Sequence, residues 1–450
     1  MRFPEKFVWG AAAASYQVEG GYNADGRGLS VWDMFAHRPG SVHNGDTGDV
    51  ATDHYHRYKE DVGLMRDIGL QAYRLSLSWS RILPDGVGYL NEPGLEFYDR
   101  LIDELLANNI QPYVTLYHWD FPLQLYYRGG WLNRDSSDWF AEYAQIVVRA
   151  LGDRVRFWMT MNEPSVFTVL GHLSGIHAPG DRLGAAEGFR IAHHVLMAHG
   201  KASQVIRALR PDAQISMAGN GTVGIPATRS EADIAAARKH MFDTTEPSLW
   251  NLNWWSDPAM FGHYPAEGLK AVESMMPAGF EKDMEIIHQP YDYFGLNCYW
   301  GDEVSAGADG KVEFVPKYSG HPITAFHWPV TPDALYWGPK FLYERYKLPV
   351  LITENGLSNS DWVSLDGKVH DPQRIDHMAR YLGAFSRAYQ DGVEVAGYLH
   401  WSIMDNFEWA EGMKHRFGLI HVDYRDGKRT LKDSAHWYKE VIRSNGESLP

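Results

Sequence analysis

The sequence predicts a (β/α)8 barrel, or TIM barrel, with long βα loops, as one domain over residues 1–450. Three observations indicate this fold class: eight short apolar runs, amphipathic stretches between them, and no linker rich in Ser, Gly or Pro anywhere in the sequence. Alternation of this kind is typical of a parallel sheet whose strands are each followed by a helix. The predicted strands are residues 7–12, 72–77, 112–117, 157–160, 215–218, 293–296, 350–353 and 395–400.

Helices are expected where apolar residues recur three or four positions apart between these strands. One begins after Asn91, which we expect to cap it, and its apolar stripe runs over residues 95–105. Another begins at Pro372 and continues its apolar face to Phe385. Because such barrels often have about 250 residues, this chain should carry long loops. The expected long loops are residues 16–60, 119–136, 220–265 and 298–332.

A doubly wound open sheet also alternates strands with helices. Its cofactor-binding form has a glycine-rich turn directly after the first strand. Here residues 11–17, which include the end of the first strand and the turn after it, contain no glycine. The barrel is therefore the predicted fold, and no nucleotide cofactor is expected.

The composition predicts a folded, acidic protein, since 44% of residues are apolar, 22% are charged and the net charge is −15. An acidic chain without a basic run suits neither nucleic acids nor anionic membranes, so neither is an expected partner. The apolar windows are too short for a membrane span or a signal peptide, and the expected compartment is the cytoplasm. Because Cys298 is the one cysteine, the sequence offers no disulfide and no Cys-based metal site.

Histidines are concentrated at His193, His194 and His199, which raises the possibility of a metal site. Spacings of five or six positions do not stack side chains on one helix face, and the sequence places no carboxylate among them. We therefore expect core or surface histidines there, and no metal.

Two glutamates end short apolar runs that read as strands. Glu163 follows residues 157–162, and Glu354 follows residues 350–353. Pro164 and Gly356 mark the end of each strand. Two carboxylates that converge from different strand ends are what cleavage of a glycosidic bond requires, one to protonate the leaving oxygen and one to act at the anomeric carbon.

Polar and aromatic residues follow almost every predicted strand, on the rim where barrel enzymes gather their functional groups. A sugar offers hydroxyl groups that donate and accept hydrogen bonds, and C–H faces that pack on aromatic rings. Amide, imidazole, carboxylate and indole side chains together therefore suit a carbohydrate. The same rim is expected to include Glu19, Asp120 and Asp405. The candidate site residues are Gln17, Arg74, His118, Trp119, Asn162, Glu163, Asn297, Tyr299, Trp328, Glu354, Trp401, Glu408 and Trp409.

Six ordered motifs resemble those of family 1 glycoside hydrolases of the β-glucosidase type, over essentially the whole chain. One of them is Thr353-Glu354-Asn355-Gly356, within residues 352–356. Taken alone it would be a weak match, but six motifs in order are very specific. The other resembling stretches are residues 7–10 with 15–20, 73–76, 117–120, 160–164 and 400–409.

The resemblance implies a retaining β-glycosidase in which Glu163 is the acid/base and Glu354 the nucleophile, acting on small β-glycosides and oligosaccharides. Arg74, Asn297 and Tyr299 would position Glu354 and keep it ionised. The residues implied to bind the terminal sugar are Gln17, His118, Asn162, Glu408 and Trp409, with Trp401 as a stacking floor. Trp328 would flank the leaving group, and the family usually has a cis peptide after the tryptophan that matches Trp401.

Alternative functions on the same barrel are a 6-phospho-β-glycosidase, a transglycosidase and a non-catalytic carbohydrate-binding protein. Phospho-glycosidases of the family carry a Ser and a Lys after strand eight, whereas Glu408 in residues 406–411 would repel a phosphate. A binding protein would be expected to lack one of the two carboxylates, and both are present. Preference for a sugar over water as acceptor depends on the entrance, so transglycosylation stays open.

Departures from the commoner family patterns are few. Cys298 replaces an aromatic residue, and we expect its thiol to be packed and inactive. Residues 123–127 and 171–175 also differ, and both are expected near the entrance, where they would affect leaving-group preference. Glucose, galactose and fucose all suit the residues implied to bind the sugar, so a broad β-glucosidase is the default expectation.

Overall fold

The computed structural model describes residues 3–308 and 310–450, and its centre is a closed barrel of eight parallel strands. Each strand pairs with the next along the chain, and the last pairs with the first. Residues 1, 2 and 309 of the predicted domain lie outside the described part. The strands are β1 (Val8–Ala12), β2 (Ala72–Ser76), β3 (Gln111–Tyr117), β4 (Phe157–Asn162), β5 (Gln214–Gly219), β6 (Phe294–Asn297), β7 (Val350–Asn355) and β8 (Val395–Trp401).

The predicted barrel is confirmed, and every predicted strand is present. β4, β7 and β8 continue past their predicted ends, to Asn162, Asn355 and Trp401. An apolar pattern stops at the first polar residue, but the backbone of these residues still pairs with the neighbouring strand. Backbone pairing therefore extends to the rim residues, although its register shifts just before Asn162 and Asn355.

Helices surround the barrel, and one principal helix follows each of its eight strands along the chain. The helix Glu92–Ala107 buries Phe97, Tyr98, Leu101 and Leu105 against the strands, as its apolar stripe predicts. The principal helices are His54–Ile68, Glu92–Ala107, Ser136–Leu151, Ala185–Leu209, Phe280–Ile287, Ala334–Tyr346, Pro372–Gln390 and Asp433–Arg443.

The expected capping role of Asn91 is wrong in one respect. Asn91 occupies the N-cap position, but its side chain makes no hydrogen bond to the helix. Its amide nitrogen instead donates to the carbonyl oxygens of Asp25 and Arg81, each at 2.8 Å. The side chain therefore ties the first long loop to the rim, a contact that local sequence does not reveal.

The long loops carry short helices and strands of their own. The additional α-helices are Ser15–Val18, Val31–Ala36, Trp79–Ile82, Leu123–Tyr127, Pro164–Val166, Glu231–Phe242, Leu252–Phe261 and Ala266–Val272. The single turns of 3-10 helix are His43–Gly45, Gly130–Leu132, Glu273–Met275 and Trp409–Glu411, and Phe167–Leu173 is a π-helix. The additional strands are Gly224–Pro226, Asp302–Ala306, Val312–Phe314, Ile420–Val422 and Arg429–Leu431.

Apolar packing fills the barrel from within. Tyr113, Met159, Leu351 and Leu399 form part of a buried cluster inside it, and the ring of Tyr113 stacks 4.2 Å from that of Phe157. A separate cluster that includes Trp401 lies on the rim. Filled barrels place their function at the carboxyl ends of the strands. Within residues 3–308 and 310–450, no helix combines the length and apolarity needed to cross a membrane.

Candidate active site

Glu163 and Glu354 stand at the carboxyl ends of β4 and β7, where strand pairing is irregular. The register of β4 against β5 shifts after Met159, and the register of β7 against β6 shifts after Ile352. Irregular pairing of this kind re-aims side chains at barrel rims. The backbone of Glu163 is left-handed, with a φ of 43°. Non-glycine residues adopt that conformation where surrounding contacts impose it, commonly at functional sites.

The carboxylate of Glu354 is buried and held from both sides. Nη1 of Arg74 lies 2.7 Å from Oε1 of Glu354, and the hydroxyl of Tyr299 donates to Oε2 at 2.8 Å. Burial raises the pKa of Glu354 above its usual range, and the charge of Arg74 with the hydrogen bond from Tyr299 offsets part of that rise. These two contacts favour the ionised form, as a nucleophile requires.

Asn297 connects the two glutamates through one hydrogen-bond network. Its amide nitrogen donates to Oε1 of Glu163 at 2.8 Å and to Oδ1 of Asn162 at 3.0 Å. The hydroxyl of Thr353, next to Glu354, donates to Oδ1 of Asn297 at 2.6 Å. Burial, followed by the negative charge of Glu354, raises the pKa of Glu163 above its usual range. The same site therefore favours a protonated Glu163 beside an ionised Glu354.

A cavity of about 590 Å³ opens at this end of the barrel and contains both glutamates in its lining. A volume of this size suits a small organic ligand. Of the predicted site residues, all but Gln17 and Arg74 line it. The predicted residues in the lining are His118, Trp119, Asn162, Glu163, Asn297, Tyr299, Trp328, Glu354, Trp401, Glu408 and Trp409.

Gln17 and Arg74 are not among the residues that line the cavity, but each donates to a glutamate that does. The amide nitrogen of Gln17 donates to the carbonyl oxygen of Phe407 at 2.8 Å and to Oε2 of Glu408 at 3.3 Å. Its buried Oε1 has no hydrogen-bond partner among the described residues. Arg74 donates to Oδ1 of Asn162 at 2.6 Å as well as to Glu354. Gln17 therefore has a free acceptor at the closed end of the site.

Aromatic rings form one wall of the closed end. The ring of His118 lies 5.8 Å from that of Trp401 in a stacked arrangement, and Trp119 lies 4.5 Å from Trp409. The peptide bond between Trp401 and Ser402 is cis, as the resemblance implies. Burial holds the pKa of His118 well below its usual range, so this ring is neutral. Its Nδ1 is buried without a partner among the described residues.

Three carboxylates expected on the rim have structural roles instead. Glu19 pairs with Arg81 at 3.0 Å, and Asp405 pairs with Lys432 at 2.7 Å. Asp120 accepts a hydrogen bond from Ser15 at 2.9 Å. The assumption that a polar residue after a strand faces the site is wrong for these three. Their partners are distant in sequence, so the sequence does not show the pairing.

The histidine-rich stretch lies in the core of helix Ala185–Leu209. His193 contacts Tyr264 and Asp283, each at 2.9 Å, and His194 contacts the carbonyl oxygen of Trp131. The sequence did not reveal the carboxylate at His193. In the described part of the chain, no group of three or more His, Cys, Asp or Glu side chains could hold a metal ion. Cys298 is buried, which raises the pKa of its thiol to about 12.

The outer part of the cavity also contains residues that were not predicted from the sequence. Trp328, a predicted site residue, has its ring centre 5.1 Å from that of Tyr299 and 4.8 Å from that of Phe326. The others come from long loops in which no periodicity or motif marks them. These additional lining residues include Val166, Leu170, Ile176, His177, Asn220, Thr222, Trp250, Trp300, Phe326, Glu411 and Phe417.

Replacing Tyr299 with phenylalanine should move the acidic limb of the kcat/KM profile to higher pH by about one to two units. Tyr299 donates to the charged form of Glu354, and a hydrogen bond to a charged group contributes about 1.5–3 kcal/mol. Losing the bond raises the pKa of Glu354, so a higher pH is needed to ionise it. Tyr318→Phe, at an exposed tyrosine, is the matched control. An unchanged acidic limb in Tyr299→Phe would contradict the supporting role.

Comparison with known proteins identifies the family of the chain. The model of Glycosyl hydrolase family 1 matches residues 1–447. The 1,4-beta-D-glucan glucohydrolase of Thermotoga neapolitana is 46% identical over 449 residues, which cover 99% of each chain. Beta-glucosidase A of Thermotoga maritima is also 46% identical, over 99% of this chain and 98% of its own. The solved structure of a beta-glucosidase from Thermotoga maritima in complex with glucoimidazole is 46% identical, covers 99% of both chains and has a TM-score of 0.90. A family match over nearly the whole chain and relatives of this similarity show that the chain belongs to glycosyl hydrolase family 1.

Proposed function

We propose that this chain is a retaining β-glucosidase that releases terminal, non-reducing β-D-glucosyl residues, with Glu354 as nucleophile and Glu163 as acid/base. One observation carries the proposal: of two buried glutamates in one hydrogen-bond network, Glu354 contacts Arg74 and Tyr299 directly and Glu163 contacts Asn297, so the proton of the pair belongs on Glu163. The relatives named as beta-glucosidases support it. Residues 1–450 would act as one catalytic domain, and the chemistry requires neither a metal nor a cofactor.

In the first step, ionised Glu354 attacks the anomeric carbon, and Glu163 donates its proton to the departing oxygen. A bond forms between Glu354 and the sugar as the glycosidic bond breaks, and the leaving group departs as a neutral alcohol or sugar. Arg74 and Tyr299 hold the attacking carboxylate in place through both of its oxygens. Asn297 holds the carboxyl group of Glu163 through one of its oxygens, Oε1.

In the second step, water attacks the anomeric carbon while Glu163 takes its proton, the bond between the sugar and Glu354 breaks, and the sugar and the Glu354 carboxylate are released. Once Glu354 has become an ester it no longer carries a negative charge. That charge raises the pKa of Glu163 in the free site, so the pKa of Glu163 should fall in the intermediate. The change suits Glu163 to its second role, since it must now accept a proton from water.

The closed end of the cavity offers complementary groups for a sugar. The unpartnered Oε1 of Gln17 can accept from a hydroxyl group, and Nδ1 of neutral His118 can donate to one. Glu408 can accept further hydroxyl donors, and Trp401 presents a ring to the sugar face. Galactose and fucose differ from glucose in single hydroxyl groups, so we propose that their β-glycosides are also accepted.

A 6-phosphorylated sugar is a poor match for this cavity. Among the described residues that line it, none is Lys or Arg, and Glu408 lies in the lining. A phosphate would therefore enter without a cationic partner.

Both proposed catalytic carboxylates and their hydrogen-bond partners are present, which favours an enzyme over a binding protein. Transglycosylation and a cytoplasmic location remain predictions from the sequence.

The test of this proposal is release of p-nitrophenol at pH 6 from a panel of p-nitrophenyl glycosides. We expect turnover of the β-D-glucoside, with weaker or equal turnover of the β-D-galactoside and β-D-fucoside. The α-D-glucoside and the 6-phospho-β-D-glucoside should not be hydrolysed. Preference for the phosphorylated substrate, or a folded protein inactive on the whole panel, would contradict the proposal.

A further inference from the structure

Two segments that depart from the family patterns, residues 123–127 and 171–175, are joined by Asp181. Nδ1 of His172 lies 2.9 Å from Oδ2 of Asp181, and the hydroxyl of Tyr126 donates to Oδ1 at 2.7 Å. His172 is buried, whereas Tyr126 and Asp181 are half-buried. We call these three residues the Asp181 clamp. One carboxylate thus ties the helix Leu123–Tyr127 to the π-helix Phe167–Leu173.

The chain after the π-helix folds back along it, in a segment that we call the return loop (residues 174–183). Its backbone nitrogens donate to the π-helix carbonyls: His177 to Leu170 at 3.0 Å, and Asp181 to Gly171 at 2.9 Å. The approach is close, since a Cβ on Gly171 would lie 2.4 Å from the carbonyl oxygen of Ala178. The Asp181 clamp therefore fixes a loop that is already in tight contact with the π-helix.

Three apolar side chains of the cavity lining belong to this part of the chain. Val166 directly precedes the π-helix, Leu170 lies within it, and Ile176 lies in the return loop. Ile176 is 55% exposed, whereas Gln17 and Asn162 at the closed end are fully buried. A terminal sugar must occupy the closed end, so the rest of the substrate extends toward the exposed mouth. The three apolar residues, which we call the outer wall, therefore face the leaving group rather than the sugar.

We infer that the Asp181 clamp positions the outer wall and thereby sets the preference for long apolar leaving groups. The inference rests on the proposed function, since it assigns the leaving-group side of the same cavity. Tyr126, His172 and Asp181 are positioning residues, because they act on the substrate through Val166, Leu170 and Ile176. An alkyl chain on the departing alcohol is the chemistry that such a wall recognises, through burial of apolar surface.

The electrostatics of the clamp favour a fixed geometry. Burial raises the pKa of Asp181, but hydrogen bonds from His172 and Tyr126 outweigh it and leave the pKa below its usual range. The ionised carboxylate accepts from both neighbours at once, and hydrogen bonds to a charged group are the stronger ones. Removing the hydroxyl of Tyr126 releases one end of the clamp without changing the charge of Asp181.

A role on the leaving-group side has a kinetic signature. The leaving group has departed before the second step, so that step is the same for every β-glucoside. A clamp variant should therefore alter kcat/KM in proportion to the size of the leaving group. It should leave kcat unchanged for a substrate such as 2,4-dinitrophenyl β-D-glucoside, whose first step is fast. General damage to the site would lower both quantities.

The experiment compares Tyr126→Phe with the wild type on octyl and methyl β-D-glucosides, with Tyr127→Phe as the matched control. Tyr127 is adjacent and 66% exposed. We expect kcat/KM for the octyl glucoside to fall about five- to tenfold in Tyr126→Phe, the scale of the net contribution of one hydrogen bond. The methyl glucoside should change less than about twofold, and Asp181→Asn should reproduce the pattern.

Dissociation constants for octyl and methyl 1-thio-β-D-glucosides, measured by calorimetry, add a readout that does not need turnover. Weaker binding of the octyl compound alone in Tyr126→Phe supports the inference even if the proposed function fails. Equal losses on octyl and methyl compounds would overturn it, as would no loss in either Tyr126→Phe or Asp181→Asn. A wild type that hydrolyses no glucoside would count against the proposed function and leave this binding comparison decisive for the clamp.

Discussion

Glu354→Gln should lose about 10⁴- to 10⁶-fold in kcat on p-nitrophenyl β-D-glucoside, the scale on which enzymes lose activity when a nucleophile is removed. An amide is a poor nucleophile of nearly the same shape, so the cavity and its contacts should persist. The amide oxygen can still accept from Arg74 and the amide nitrogen can donate to the hydroxyl of Tyr299, whereas Arg74 loses a charged partner. The main loss should therefore appear in catalysis, while the unpaired charge of buried Arg74 should lower the thermal stability of a variant that still folds.

The comparison needs a control that separates chemistry from the substitution itself. Glu96→Gln makes the same change at an exposed glutamate far from the cavity, in the helix Glu92–Ala107. Circular dichroism and thermal unfolding of both variants establish that they are folded. Near-normal turnover by Glu354→Gln, purified from a host that lacks other β-glucosidases, would exclude Glu354 as the nucleophile.

Glu163→Ala should lose about 10²- to 10⁴-fold in kcat/KM on substrates with poor leaving groups, such as cellobiose or alkyl glucosides. Those leaving groups need the proton that Glu163 supplies in the first step. A 2,4-dinitrophenolate ion departs without protonation, so kcat/KM for its β-D-glucoside should fall much less. The second step also loses its base, and the intermediate should then accumulate with the activated substrate.

Rates across a series of aryl β-D-glucosides measure this division of labour. In Glu163→Ala, log kcat/KM should depend steeply on the pKa of the phenol, whereas the wild type should show a shallow dependence. Azide, a nucleophile that needs no base, should restore turnover of the activated substrate by Glu163→Ala. The same proportional loss on all leaving groups, with no effect of azide, would contradict the acid/base role.

The barrel could be predicted because its signal is local and repeated. Each strand is a short apolar run, and its rim residue is the first polar side chain after that run. Asn162 and Glu354 illustrate this, since strand pairing continues through both. The ordered motifs then identified the family, because each motif spans one strand end and the residues just beyond it.

The outer part of the cavity could not be predicted, because its residues reach it through long loops. Leu170 and Ile176 belong to the π-helix and the return loop, whose shape depends on backbone contacts within the loop. The hydrogen bond between Tyr126 and Asp181 joins residues 55 positions apart. Sequence periodicity describes single elements, so it does not report a contact between two loops.

The structural roles of Glu19 and Asp405 could not be predicted either, because they also depend on contacts between distant parts of the chain. Glu19 and Asp405 follow strand ends as Glu163 does, yet both are buried against cations. Arg81 lies 62 positions from Glu19, and Lys432 lies 27 positions from Asp405. A carboxylate after a strand is therefore a candidate for the site, and only its surroundings decide whether it faces substrate or a structural ion pair.

The covalent bond that we propose between Glu354 and the sugar is tested most directly with 2-deoxy-2-fluoro-β-D-glucosyl fluoride. The fluorine at the second carbon slows both steps, while the fluoride leaving group allows the first to proceed, so the intermediate should accumulate. Intact-mass spectrometry should show one fluoro-sugar on the wild type and none on Glu354→Gln, and peptide mapping should place it on Glu354. Attachment at another residue, or no attachment to an enzyme that hydrolyses β-glucosides, would contradict the account.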